Sequence, residues 1–297
     1  MNHLRSGRRC RCRSLSGKAV RQEPGGDSAV REDLAAVVTA GGRIGWADFS
    51  FVATPLEYAS YEEYPYDYRE IKALLKVRER TLLETVLDAI WHTGRVEEVV
   101  VVGSPFLRYW VDRAGERLIP EKQEAHENLI AGLQAVAYYP RVLYITSDLP
   151  FVTTEAVNHF IDACPPDAQL CYAIVRREAF DARFPNSPST YARLKDGEFA
   201  AGCAAMIEPA SLLERAEWIR RVAQRRKSLW RLALLAGLRV LWKYATHQLT
   251  VADVERRAEQ LLGMHCRAVE SEPELAYDVD TPQEYEYARR LADDRAG

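Results

Sequence analysis

The sequence predicts an α/β sandwich around a mostly parallel central sheet, and three observations carry that prediction. Short apolar runs alternate along the chain with longer stretches of helical periodicity. The runs are rich in β-branched residues and lack the polar alternation of a half-exposed strand. Three of them end at a glycine pair, a Gly-Ser step or a Ser-Asp step, where a ligand crevice forms in such sheets. Length and composition agree: 297 residues, 47% hydrophobic and 28% charged, suit a soluble chain that buries a large core.

The elements follow in order. Residues 34–39 (LAAVVT) form the first strand, which runs into Ala40, Gly41 and Gly42. A helix follows over 81–93, with Leu82, Leu83, Val86, Leu87, Ile90 and Trp91 on one face. Residues 98–103 (EVVVVG) make a second buried strand. A helix over 124–137 carries Leu129, Ile130, Leu133 and Val136. Residues 141–147 (RVLYITS) form the third strand and 170–175 (LCYAIV) the fourth, with a helix at about 153–163 between them. Helices follow at about 209–225, 227–246 and 250–262. The last helix starts at Thr281, where Pro282 takes the first helical position and Glu284 completes a capping box.

Charge divides the chain. Residues 1–21 hold seven basic side chains and no acid, with too few apolar residues to pack. Residues 1–30 are read as a disordered basic tail, a dispensable segment ahead of a nucleic-acid tether or a targeting peptide. Without those seven, 33 basic and 43 acidic residues remain, a net charge of −10. Such a body is no general polyanion binder, so no specific nucleic-acid partner is expected and any phosphate site is built locally. Residues 31–297 are read as a single domain with a helical basic insertion at about 209–262. The six cysteines are scattered, no secretory signal precedes them and no apolar run is long enough to span a membrane. Reduced thiols and a cytoplasmic location are expected.

Three short segments carry chemistry. After the first strand, Gly41 and Gly42 let the backbone approach a phosphate, their N–H groups can form an anion nest, and Arg43 adds charge. A plain tight turn explains the same residues. Asp148 follows the third strand directly, and Pro150 stops the ladder behind it, so the carboxylate projects into the crevice where a hard cation such as Mg²⁺ is held. Helix capping is the competing role, although Thr153 and Thr154 can perform it. Asp278 and Asp280 alternate along an extended segment and so point the same way. They read either as first-turn helix electrostatics or as carboxylates completing a metal site.

Taken together, these segments resemble the MobA-like NTP transferase family of the nucleotide-diphospho-sugar transferase (GT-A) superfamily. The resemblance runs from about residue 34 to 288 and rests on Val38-Thr39-Ala40-Gly41-Gly42, the Lys72-Ala73-Leu74 segment with the helix after it, Ala131-Gly132-Leu133, Ser147-Asp148-Leu149-Pro150 and Asp278-Val279-Asp280-Thr281-Pro282. It implies a Rossmann-like three-layer α/β/α sandwich and Mg²⁺-dependent transfer of a nucleoside monophosphate from an NTP to a small acceptor, with loss of pyrophosphate. It further implies that Ala40, Gly41, Gly42, Arg43, Asn128 and Gly132 bind the nucleotide. Lys72 neutralises the α-phosphate or the leaving pyrophosphate. Asp148 binds Mg²⁺, with Asp280 or Asp278 closing its coordination. A glycosyltransferase on the same fold, using a nucleotide-sugar, and a non-catalytic nucleotide-binding regulator are the rival readings.

Two departures from the family pattern stand out. Lys72 lies 30 positions after Gly42, where the family's lysine follows its glycines closely. The segment over 57–70 is rich in tyrosine and acid, and reads equally as a loop stacking on a base or acceptor and as a surface loop packing its own rings. The second departure is the basic stretch over 220–245. It reads as a helix packed on the sheet with a solvated basic face, ahead of peripheral membrane contact. The sequence leaves open which NTP and acceptor are used, and the oligomeric state.

Overall fold

The computed structural model describes residues 34–44, 70–225 and 237–294. The basic tail, residues 57–69 of the tyrosine-rich segment and residues 226–236 of the basic stretch lie outside the described residues. The strands are β1 (Leu34–Ala40), β2 (Lys76–Val77), β3 (Arg80–Thr81), β4 (Val96–Gly103), β5 (Glu116–Pro120), β6 (Arg141–Thr146), β7 (Leu170–Arg176), β8 (Ala192–Leu194), β9 (Gly197–Ile207) and β10 (Cys266–Glu270). The α-helices are α1 (Leu82–Trp91), α2 (Ala125–Ala135), α3 (Thr154–Ala163), α4 (Arg177–Arg183), α5 (Pro209–Leu213), α6 (Ala216–Arg225), α7 (Leu238–Ala245), α8 (Val251–Leu262) and α9 (Pro282–Asp294).

Eight strands form one sheet in the order β10-β7-β9-β6-β1-β4-β5, with β8 paired to β9. Every pairing on that path is parallel except the two that β9 makes with β6 and β7. Strand β1 lies inside the sheet and is apolar on both faces, because both faces are covered. Ala36 and Val38 face a core shared with α1, α3 and α9, whereas Ala35 and Val37 face a second core that includes Leu133 of α2 and Leu212 of α5. The expected three-layer sandwich with a mostly parallel sheet is therefore formed.

Register positions the site. Ala40 stands opposite Gly103 of β4, and Thr39 stands opposite Thr146 of β6. The carboxyl ends of these three strands are thus flush, and the turns that leave them open onto one edge. Helix starts are fixed by side chains: Thr81 caps α1 and Thr250 caps α8, each with a reciprocal capping box. At α9 the Thr281 N–H donates to Glu284 Oε2 at 2.7 Å, so the box expected there is made.

Several elements differ from expectation. Strand β9 (GEFAAGCAAMI) was not foreseen, since small residues with little β-propensity are strands here only because β6 and β7 flank them on both sides. The edge strands β5 and β10, and helix α4, were also missed. The expected helix over 209–225 is two helices, α5 and α6, with a break between Leu213 and Ala216. No helix among the described residues is long and apolar enough to cross a membrane.

Gly132 has a packing reason. A Cβ built on it would overlap Val37 Cγ1 and lie 3.1 Å from Val102 Cγ2, both on the sheet beneath α2. Gly132→Val is expected to cost on the order of 1–3 kcal/mol by overpacking. In thermal unfolding that lowers the midpoint by about 2–4 °C for each kcal/mol. An unchanged midpoint would contradict this close approach of α2 to the sheet.

Candidate active site

The glycine turn after β1 is built by contact with the residues around it. A Cβ on Gly41 would lie 2.7 Å from Glu121 Oε2 and 3.0 Å from Asn128 Nδ2, and one on Gly42 would lie 2.8 Å from Lys72 Cε. A side chain at either position would displace the ends of Glu121 and Lys72 from the turn. Asn128 is buried, and its Oδ1 accepts the Lys122 N–H at 2.5 Å. Arg43 donates to Gly41 O at 3.2 Å and forms an ion pair with Glu121, so its guanidinium folds back over the turn.

The long spacing to Lys72 is resolved by backbone pairing. Arg43 and Ile71 form an antiparallel bridge, Ile44 N–H donates to Glu70 O at 2.8 Å, and Lys72 N–H donates to Gly42 O at 3.0 Å. The chain that leaves after Ile44 returns beside the turn it left, whatever lies between. Lys72 is therefore adjacent to Gly42 despite the insertion.

Lys72 in turn joins the carboxylates. Its Nζ lies 2.5 Å from Asp148 Oδ2 and 2.6 Å from Asp280 Oδ1. Asp148 is held at the end of β6: Ser147 N–H donates to Thr39 O at 3.1 Å, and Asp148 O accepts the Val279 N–H at 3.1 Å. That last bond makes 278–280 an extended segment alongside Asp148, and Asp278 and Asp280, flanking Val279, come to the same side. Oxygens of Asp148, Asp278 and Asp280 lie within 4.8 Å of one another. Thr146 and Tyr144 lie just upstream on β6, with Tyr144 OH 3.0 Å from Thr39 Oγ1.

The supports of this cluster were only partly visible in the sequence. Tyr277 is buried among Phe151, Phe180, Phe184 and Tyr287, with ring centroids 4.8 Å from Phe184 and 5.8 Å from Tyr287. Its hydroxyl donates to Glu284 O at 2.7 Å. Glu284 Oε2 accepts the Asp280 N–H at 2.8 Å, so one side chain both caps α9 and fixes the backbone of the carboxylate segment. Glu121 follows β5 and was missed because that strand was missed. Asn128 lies beside the glycine turn, and Gly132 packs between α2 and the sheet, as described above.

Electrostatics set the cluster apart. Burial first, and the neighbouring Asp148 and Asp280 carboxylates next, push Asp278 up to about 7. Burial works against the Lys72 ammonium, but Asp148 and Asp280 more than offset it and raise its pKa above the ordinary value. Burial, with Asp278 and Asp148 nearby, also holds the Cys203 thiol well above its usual range. Asp148 Oδ1 is buried with no hydrogen-bond partner among the described residues. Three carboxylates against one lysine, with one orphaned oxygen, are what a divalent cation would balance. A cavity of about 590 Å³ opens beside them, lined by Tyr172, Ser189, Gly202, Cys203, Asp278 and Asp280 among others.

Comparison with known proteins places the chain. A family model described as "MobA-like NTP transferase domain" matches residues 68–239, a span that holds Lys72, Asn128, Gly132 and Asp148. A solved structure titled a hypothetical transferase, from Thermus thermophilus, is 34% identical, with a TM-score of 0.71 over 85% of this chain and 99% of that one. A 4-diphosphocytidyl-2C-methyl-D-erythritol synthase from Anaerococcus prevotii DSM 20548 is similar at 12% identity, TM-score 0.54, over 88% of this chain and 96% of that one. A CMP:2-keto-3-deoxy-manno-octonic acid synthetase complexed with CTP is similar at 13% identity, TM-score 0.52, over 89% of this chain and 99% of that one. At such identities the likeness is one of fold. No curated protein matches the sequence. The family match spans more than half of the chain and the Thermus relative covers most of it; the chain belongs to the MobA-like NTP transferase family, whose members are nucleotidyltransferases.

Proposed function

We propose that the protein transfers a nucleoside monophosphate from an NTP to a small phosphorylated acceptor, releasing pyrophosphate. The observation that carries this reading is the joint between the two halves of the site. Lys72 touches the Gly42 turn through its backbone and the Asp148–Asp280 carboxylates through its Nζ. A triphosphate on the glycine turn would thus meet a cation and a carboxylate cluster at once.

Asp148, Asp278 and Asp280 would hold Mg²⁺, which supplies charge neutralisation at the phosphates when bound. The remaining work falls to the chain itself. The Gly41 and Gly42 N–H groups cradle the phosphates, with Arg43 and Asn128 at the edge of the turn. Lys72 offsets charge on the α-phosphate or on the leaving pyrophosphate. The acceptor occupies the cavity on the Asp278 side, so that its phosphate oxygen faces the α-phosphorus. That oxygen forms a new P–O bond as the bond to the β-phosphate oxygen breaks, and pyrophosphate leaves with the electron pair. An acceptor phosphate is already anionic, so no general base is required, in keeping with the lack of any histidine in the cluster.

The test is pyrophosphate release from ATP, GTP, CTP and UTP with Mg²⁺ across a panel of phosphorylated acceptors. Release confined to one NTP and one acceptor class is the expected result. Measurable NTP binding without release from any pairing would count against transfer and favour a binding role.

A further inference from the structure

A second cavity, of about 540 Å³, lies against the outer face of β7 and β10, under α8 and the end of α7. Its volume is within the roughly 300–1,000 Å³ span of small-molecule sites. The wall is apolar, with Ile174, Phe199, Leu249, Val254 and Ala258 among the residues that line it. The charged residues that reach it are engaged elsewhere: Glu255 Oε1 accepts the Ala268 N–H at 2.8 Å, and Arg267 donates to Glu259 Oε1 at 2.7 Å. An occupant therefore meets hydrocarbon. Helix α7 is fastened at the mouth by the Lys243–Asp253 pair at 2.7 Å, and Tyr244 and Val254 there are exposed apolar residues. Trp242, on the same helix, is 65% exposed.

This cavity shares part of its lining with the one beside the carboxylates. Tyr172, Ala200 and Ala201 line both. Tyr172 stands on β7 with its ring partly exposed between them. A polar acceptor would have no use for the apolar half of this path. We propose that the acceptor is an amphiphile: a phosphate head at the Asp278 cavity joined to an apolar chain that passes Tyr172 and fills the apolar cavity. The inference rests on the transfer reading above, and it names the class of acceptor as a long-chain monophosphate ester.

Direct binding separates the two claims. Butyl, hexyl and octyl phosphate are titrated calorimetrically into the full chain with Mg²⁺, below their micellar concentrations. Affinity is expected to rise about fourfold per added methylene until the cavity is filled, equivalent to about 0.8 kcal/mol each. Val254→Asp places a charge at an exposed position of the wall with little risk to the fold, and Ala258→Trp fills the space. Each is expected to weaken octyl phosphate at least tenfold, to leave butyl phosphate within about twofold and to leave NTP binding unchanged. Equal affinity for butyl and octyl phosphate, or a chain-length gain that survives both substitutions, would overturn the inference. Chain-length-dependent binding lost in both variants, together with no pyrophosphate release at any chain length, would support the apolar site while refuting transfer.

Discussion

Asp148→Ala is expected to lower pyrophosphate release by about a thousandfold or more, the scale of losing a principal electrostatic group at a reacting phosphate. The fold should survive the change. Asp148 is tied to the structure through its backbone, whose oxygen accepts the Val279 N–H at 3.1 Å, and alanine keeps that bond. Its Oδ1 is buried without a partner among the described residues, so no satisfied hydrogen bond is lost there. Its charge, moreover, strains the cluster. The pKa of Asp278 is raised to about 7, by burial first and by Asp148 and Asp280 next. A carboxyl whose folded pKa lies above its unfolded value favours the fold at low pH and loses that advantage as pH rises towards about 7. Removing Asp148 lowers the Asp278 pKa and so relieves this cost at neutral pH. The Lys72 contact to Asp148 Oδ2 is lost while its contact to Asp280 Oδ1 remains, so the two effects oppose one another, and lost activity with only a small change in thermal stability is the expected pair of results. Retained activity, or a variant that fails to fold, would contradict this account of Asp148.

Lys72→Met is expected to cut turnover by about a hundredfold or more, for a different reason. Lys72 is the cation between Asp148 and Asp280, and the side chains of Lys72 and Asp148 are only 12% and 13% exposed. Methionine fills similar space but leaves three close carboxylates with no compensating charge from that position. Breaking a largely buried pair from one side is costly, since the remaining charges stay desolvated. Thermal stability without metal should therefore fall at neutral pH, and added Mg²⁺ should restore much of it while activity stays low. Turnover within about twofold of the native protein would show that Lys72 serves only to balance the charge of the carboxylates. Lys72→Arg is not expected to rescue the rate, because a planar guanidinium cannot replace a compact ammonium wedged beneath Gly42.

The contrast between these two residues bears on what the sequence could reveal. Asp148 was legible because it ends a continuous apolar strand, and such a strand admits a carboxylate only at its exit. Asp278 and Asp280 were legible as a pair because alternate residues of an extended segment share a side; both lie in the cluster, which is why the sequence offered no means of choosing between them. Lys72 entered only through family resemblance. Nothing local marks it, and its place beside Gly42 depends on a bridge between Arg43 and Ile71 that spans the insertion. Gly132 is the converse case. A glycine in a motif reads as a ligand contact, and the structure adds a packing reason that the sequence does not carry, since α2 crosses Val37 and Val102 there.

The sheet divides in the same way. The parallel strands β1, β4, β6 and β7 declare themselves by β-branched runs, as burial on both faces demands. Strand β9 is more than half glycine and alanine, and its pairing with β6 and β7 is a tertiary fact that local propensity does not carry. Missing it hid the floor of both cavities, since Ala200 and Ala201 belong to β9. Missing β5 hid Glu121, the partner of Arg43. The edge that carries the candidate site was therefore readable where it rests on strand ends, and unreadable where it rests on strands that only their neighbours define.

The central claim is that the α-phosphorus is the atom attacked, and the most direct measurement follows the label. The protein is incubated with Mg²⁺, acceptor and an NTP carrying radioactive phosphorus at either the α or the γ position, with Asp148→Ala alongside. The account predicts that α-label appears in the acceptor product and γ-label leaves as pyrophosphate, both lost in the variant. Transfer of γ-label to the acceptor, or retention of both labels in intact NTP while a nucleotide-sugar is consumed, would contradict it.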